Sequence, residues 1–517
     1  MSFRSLKFIS ATTIFCALAI SSQLAAQQNQ EHNGTHHRYK LIDLGTFGGP
    51  LSFFSDGNPP LTKIVNNRGI GVGKADTAVP DPYSPNCLTD CFVAHTFQWK
   101  DGVLTDLGAL PGVNSGFPIA INERGLIVGV SENGVIDPLT GFPEAVAVLW
   151  RDGKIVDLGT LGGNASLASA INERGQVVGV ALNATPDPFS SGLNYFFVFP
   201  VGTQARAFLW ENGEMNDLGT LGGPDSVASY VNERGEVAGE SFLNSIPNSV
   251  TGLPTQDPFL WVPCRDRGDS DSPDKGDCKN GKMLDLGTLG GASGLVAGLN
   301  NRGQVIGQSN LAGDKTHHPF LWERGHITDL GTLGGDFGFA SWLNDKGEVV
   351  GTASLPIPCP GCGEGPQIYH AFFWKHGVMK DLGTLDKCSL GNGINNKSQI
   401  VGASGLCGIA KHAFLSEDGG PIIDLNTLIP PDSGLTLTGA IYINDRGEIA
   451  GFGLSPNGNE HAYLLIPCDS DHPGVQACDY DPVDLDALSE STPANSRSSK
   501  TENQHPTLSR LAHKIHR

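Results

Sequence analysis

The sequence predicts an all-β fold: a β-propeller, eight four-stranded blades, closed by the N-terminal strand. Three observations predict it. Four short signatures recur eight times in fixed order along the 517 residues. Successive copies lie 43 (Asp381 to Asp424) to 68 (Asp217 to Asp285) residues apart, and about 40–45 residues is the length of one four-stranded blade. The chain also begins with the strand that its last copy lacks.

The elements follow in order. "DLGTL" or a relative begins at Asp43, Asp106, Asp157, Asp217, Asp285, Asp329, Asp381 and Asp424. An apolar residue and Asn come next, with Gly three further on as in "INERG"; these are Asn66, Asn122, Asn172, Asn232, Asn300, Asn344, Asn395 and Asn444. A "VVG"-like triplet then ends at Gly73, Gly129, Gly179, Gly239, Gly307, Gly351, Gly402 or Gly451. "AFLW" or a variant follows, its aromatic at Phe97, Phe208, Phe259, Phe320, Phe372, Phe414 or Tyr463, with Val148 in the second copy.

Each unit therefore reads as strand a ("AIN"), b ("VVG"), c ("AFLW") and d ("MNDLG"). "NERG" joins a to b and "ENGE" joins c to d, turn sequences in which Gly supplies a left-handed residue. Continuous apolar runs suit strands covered on both faces by neighbouring blades. Many of the 68 glycines fall in these motifs, which assigns them to turns and bulges rather than to a phosphate-binding loop.

Closure can be read from the two ends. "HAYLLIP" (461–467) is a strand c with no repeat after it, and "RYKLIDLG" (38–45) is a strand d with no strand c before it. The N-terminal strand completes the last blade and removes both sheet edges. "PVDLDAL" (482–488) is a rival with a poorer match.

Outside the repeats, Arg4 and Lys7 precede an apolar run, Phe8–Ile20, too short to span a bilayer. This marks residues 1–26 as an export signal cleaved after Ala26, and Cys16 lacks the context of a lipoprotein signal. Residues 27–37 read as a linker and 38–467 as the propeller. Residues 468–488 read as a Cys-closed hairpin with an acidic segment, and 489–517 as a disordered polar tail. The net charge of −20 argues against nucleic acid or an anionic membrane as partner. The expectation is a monomer, extracellular or periplasmic, with no membrane span.

Ten cysteines remain after the signal, in five near-neighbour pairs: Cys87 and Cys91, Cys264 and Cys278, Cys359 and Cys362, Cys388 and Cys407, Cys468 and Cys478. An even count in an exported chain reads as local disulfides. "CPGC" (359–362) with Cys388 and Cys407 also fits a four-Cys zinc site, which is the less favoured reading.

The four signatures, with His-Ala-Phe at 370–372 and 412–414, resemble the HAF family of probable extracellular repeat proteins over about residues 39–466. The resemblance implies bacterial export and a propeller-like repeat array without an established enzymatic activity. Arg206, Asp257 and Val146 occupy the His slot in three units, so no role can rest on that His in every blade.

Chain direction places the b–c and d–a loops on one face and the a–b and c–d turns on the other. The b–c connection takes 12 residues in the last two units but 24 (Gly73 to Phe97) and 29 (Gly179 to Phe208) in earlier ones. Insertions on one face of a repeat array are where binding is expected. The segment 184–204 offers Tyr195, Phe196, Phe197 and Phe199 as candidate ligand contacts. The eight "DLG" aspartates and the "INERG" asparagines read as turn caps, because an active site needs its groups once. His317 and His318 read as loop neighbours, poorly placed for a metal. The acidic stretch 264–278 misses calcium-loop spacing, and its "RGD" (267–269) is a short chance-level match. No cofactor or metal is expected, weak calcium binding by that stretch aside.

"GxSxG", "HExxH" and Walker-type motifs are absent. The expected function is non-catalytic binding through the loop face, the ligand a glycan or cell-envelope component. The alternatives are a carbohydrate-active hydrolase or lyase on a propeller scaffold, which is fold-level analogy, and a purely structural envelope protein.

Overall fold

The computed structural model describes residues 36–54, 62–84, 87, 91–138, 141–189, 202–249, 251–264, 281–360, 367–481 and 483. Strands make up nearly all its regular structure, with one 3-10 turn at Leu425–Thr427 and no α-helix among the described residues. Units are numbered below by their Asn, from unit 1 (Asn66) to unit 8 (Asn444). Six sheets hold four antiparallel strands each. The seventh holds the eight strands of units 4 and 5, joined by a single parallel bridge between Gln256 and Ser293.

The chain is a β-propeller, and it closes as its ends predict. Tyr39–Asp43 pairs antiparallel with Glu460–Pro467, from Tyr39 opposite Pro467 to Asp43 opposite Tyr463. The rival segment does not take that place. Its Val483 makes one isolated bridge to His36 on the chain just before the closing strand.

Strand a of each unit lies innermost, against strands of the preceding unit. Apolar clusters fill the seams between successive units. One joins Val128 and Leu149 of unit 2 to Ala168 and Phe208 of unit 3. Another joins Leu464 and Tyr442 of unit 8 to Phe54 and Phe97 of unit 1, so the core continues across the closure.

Each "VVG" glycine is fixed by packing rather than by turn geometry. Strand a carries a bulge, as between Ala168 and Ala170, which drives a carbonyl toward strand b. A Cβ on Gly179 would lie 1.9 Å from the Leu167 carbonyl oxygen and 2.9 Å from the Phe208 ring. The aromatic of "AFLW" needs that bare backbone, since Phe208 is the residue paired with Gly179. The c–d turn glycines answer to the other cause: Gly213 has φ 90° with open space around it.

The asparagines do more than cap turns. Asn172 Oδ1 accepts from the N–H groups of Arg174 and Gln176 (both 3.1 Å), which is the expected cap. Its Nδ2 reaches sideways and donates to the Asn232 carbonyl of the next unit at 3.1 Å. The same bond links Asn66 to Asn122, Asn122 to Asn172, Asn232 to Asn300, Asn300 to Asn344, Asn344 to Asn395 and Asn395 to Asn444. Asn444 donates back to Asn66. Eight amides thus close a hydrogen-bonded ring around the axis. A second ring lies beside it, in which the N–H of the residue after each Asn donates to the next unit's equivalent side chain, as Glu123 to Glu173 (2.8 Å) and Asp445 to Asn67 (3.0 Å).

Candidate ligand face

The loop face is built from over-long strands b. In units 1 to 4 and 6 these are Gly71–Pro80, Ile127–Ile136, Val177–Pro186, Val237–Pro247 and Val349–Pro358. Units 5, 7 and 8 stop earlier, at Leu311, Leu406 and Leu454. Each long strand skips register before its tip, as between Glu132 and Ile136. In units 2, 3 and 4 an Asn at the skip (Asn133, Asn183, Asn244) accepts the N–H two residues on, and Thr77 does so in unit 1. The result is a row of β-branched side chains held out in solvent: Val79, Val135, Ile246 and Ile357 at 48, 50, 73 and 46 % exposure. Thr185 takes the same place in unit 3.

Below the tips the rim carries one repeated contact. The DLG aspartates cap their turns as expected; Asp217 Oδ1, for example, accepts from Gly219 N–H at 2.8 Å. Each also faces the His slot of strand c. His95, His318, His370, His412 and His461 place Nδ1 at 2.7–3.1 Å from Asp106, Asp329, Asp381, Asp424 and Asp43. Arg206 substitutes with Nε 3.0 Å from Asp217. In unit 4 the slot holds Asp257 against Asp285. Burial first, and then the Asp285 charge, raise the Asp257 carboxyl well above the usual carboxylate range, which favours a proton shared by the pair. The slot thus selects a hydrogen-bond donor; Val146 is the exception. His317 and His318 are on strand c, not a loop: His318 joins Asp329 while the His317 ring packs 5.1 Å from Phe337.

Burial raises other carboxyls on this half of the molecule too. Burial holds Glu240 at about 7 even though it accepts the Val296 N–H at 2.6 Å. Burial also raises Asp225, which touches Asp187 across the seam between units 3 and 4. Glu132, at about 7, is raised by burial and by the Asp81 charge. The acid pairs were not foreseen from the sequence, because each brings together residues of different strands or units.

Tyr195, Phe196, Phe197 and Phe199 lie outside the described residues, as do Cys278, Cys362 and the rest of the 265–280 stretch. Three disulfides join Cys87 to Cys91, Cys388 to Cys407 and Cys468 to Cys478. Cys264 and Cys359 are disulfide-bonded too, which overrides the zinc alternative for Cys359, Cys388 and Cys407. Among the described residues no group of three or more His, Cys, Asp or Glu is placed to hold a metal, and no helix is long and apolar enough to cross a membrane. A small cavity of about 40 Å³ sits instead on the turn side at the closing seam, lined by His36, Tyr39, Gln399, Glu417, Arg446 and Asp469.

Compared with protein-family models and with curated proteins, the chain matches none. Among solved structures it is similar to an acylaminoacyl peptidase of Pyrococcus horikoshii, at 10 % identity and TM-score 0.36, over 67 % of this chain. That overlap spans only 50 % of the peptidase. It is also similar to a polysaccharide lyase of family PL25, an ulvan lyase, at 11 % identity and TM-score 0.36, covering 83 % of this chain and 96 % of the lyase. TolB from Acinetobacter baumannii aligns at 10 % identity and TM-score 0.27, over 83 % of this chain and 96 % of TolB.

Proposed function

We propose that this chain is an exported, signal-cleaved propeller of eight blades, a relative of the HAF repeat proteins. In this reading it binds an extracellular glycan or another cell-envelope component without transforming it. The observation that carries the reading is the row Val79, Val135, Ile246 and Ile357. Exposing four β-branched residues at equivalent places costs solubility and stabilises no core, whereas a partner that covers them recovers the burial. The opposite end is committed to the two rings, and that commitment leaves the loop face free to vary. The buried acids favour binding over hydrolysis. Asp225 and Glu132 have no exposed surface, so neither can serve as an acid or base toward a bound sugar.

The test is binding of the mature protein to a printed glycan array and to envelope fractions. Combining Val79→Lys, Val135→Lys and Ile246→Lys should weaken binding about tenfold or more. Val103→Lys with Val378→Lys, equally exposed residues of the c–d turns (61 and 66 %), should leave it intact. Equal loss in both variants, or release of shortened glycan by the unmodified protein, would overturn the reading.

A further inference from the structure

The seam between units 1 and 2 gathers a group of oxygen-bearing side chains. Asp81 opens the hairpin turn of unit 1. Its N–H donates to the Cys91 carbonyl (2.9 Å), its Oδ1 accepts from Tyr83 N–H (2.8 Å), and the Cys87–Cys91 disulfide closes the same loop. The Tyr83 hydroxyl donates to Asn114 Oδ1 at 3.2 Å. Asn114 is itself fixed, donating to the carbonyls of Leu110 and Pro111 (3.2 and 3.0 Å).

Glu132 enters this group from strand b of unit 2. Its Oε2 accepts from Ser115 N–H at 2.7 Å. Its Oε1 has no hydrogen-bond partner, although none of the residue is exposed. Asp81 and Asn114 are buried as well, at 4 and 2 %. The charge acting on Glu132 is that of Asp81, and those acting on Tyr83 are Glu132 and Asp81, all of them negative. Two buried carboxyls that act on each other cost several kcal/mol in the ionised state unless a cation joins them. Hard cations such as calcium take carboxylate, amide-carbonyl and hydroxyl oxygens.

The other seams act as internal controls. Between units 3 and 4 the acids Asp187 and Asp225 interact directly and Arg206 lies nearby, so that seam already holds a positive charge, and Phe242 takes the place of Glu132. In unit 3, Leu182 holds the place that Glu132 holds in unit 2, so Asp137 at the seam before it meets no such acid. The repeat therefore folds without the Glu132 arrangement. Unit 1 also holds an acid at that place, Asp76, but the pairing of Asp81 with Glu132 is not repeated at the seams before units 3 and 4, so it is added to the scaffold rather than required by it.

We propose that Asp81, Glu132 and Asn114, with the Tyr83 hydroxyl, form a calcium site that clamps the first loop-face hairpin to the next unit. Protein stripped with a chelator and titrated with calcium by calorimetry should bind one ion here, with Kd in the range of about 10⁻⁴–10⁻³ M common in extracellular modules. Terbium in the same site should luminesce on tyrosine excitation, and calcium should quench it. Glu132→Gln and Asp81→Asn should each weaken binding about tenfold or more and remove the calcium-dependent rise in Tm. Tyr83→Phe should keep most calcium affinity but lose most of the terbium signal. Calcium binding that survives both carboxylate variants lies elsewhere and overturns the site. So does a stripped protein with no calcium response, or Glu132→Gln raising Tm equally with and without calcium, the behaviour of a carboxyl that is simply protonated.

Discussion

Asn444 donates its side-chain amide to the backbone carbonyl of Asn66, 2.9 Å away and 378 residues earlier in the chain. Asn444 Nδ2 also donates to Glu448 Oε2, while its Oδ1 accepts from Arg446 and Glu448 N–H. Asn444→Asp preserves the cap and removes the donor, setting a carboxylate against a carbonyl and a second carboxyl. If Asn444 were only a turn cap, Asp would serve nearly as well. The lateral bond instead predicts a loss of about 3 kcal/mol in urea unfolding, because buried acceptors lose their donor.

That bond also marks how far the sequence could be read. Strand order, turn positions and closure were legible, since each rests on local motifs or on an unmatched end. The ring was not, because Asn66 and Asn444 meet only once eight units have closed. A signal existed nonetheless: caps tolerate Asp and Ser, yet all eight positions hold Asn. The donor slot left a similar trace. His, Arg and a protonated Asp share the ability to donate to a carboxylate, but Asp257 declares its protonation only when Asp285 and the surrounding burial are seen. The exposed tips were half legible: loop length placed insertions on this face, but the register skips that hold out Val135 and Ile246 depend on pairing. The aromatic cluster at Tyr195–Phe199 falls outside the described residues.

Two glycine substitutions should separate the two causes of glycine in this chain. Gly179→Ala forces a methyl into the Leu167 carbonyl and the Phe208 ring, so it should cost about 3 kcal/mol or more. Gly213→Ala meets nothing within 4 Å and suffers only from its φ of 90°, a loss of about 1–2 kcal/mol. Comparable losses would mean that strand a moves aside and that its bulge is not fixed.

The acid pairs give stability a defined pH dependence. Asp257 and Asp225 are raised in the folded state to about 7 and about 8, against about 3.9 for an unfolded Asp. A raised carboxyl contributes fully below the unfolded value, and the contribution is lost as pH rises through the folded one. His472, raised by Glu448 and Asp469 although burial opposes it, adds to the same loss on the alkaline side. Tm should therefore fall between pH 5 and 9. Asp257→Asn and Asp225→Asn supply a permanent donor and should flatten that fall, matching the parent at pH 5 and exceeding it at pH 8. A parent Tm that rises over this range would show that these carboxyls ionise without penalty.

Val146 leaves Asp157 the one DLG aspartate without a donor in its slot, which makes unit 2 the place to add one. Val146 is 4 % exposed beside the unit 1 side chains Ile70 and Val72. A His there gains a bond like that of His370 to Asp381 but gives up apolar contact. The exposed bond is worth about 0.2–1 kcal/mol, whereas losing a buried Val forfeits about 1.5–3 kcal/mol. Val146→His should thus destabilise despite restoring the motif, and Arg206→Val in unit 3 should cost no more than about 1 kcal/mol. If thermal unfolding instead shows Val146→His to be stabilising, the rim contact outweighs the core and the donor slot is a principal support of each blade.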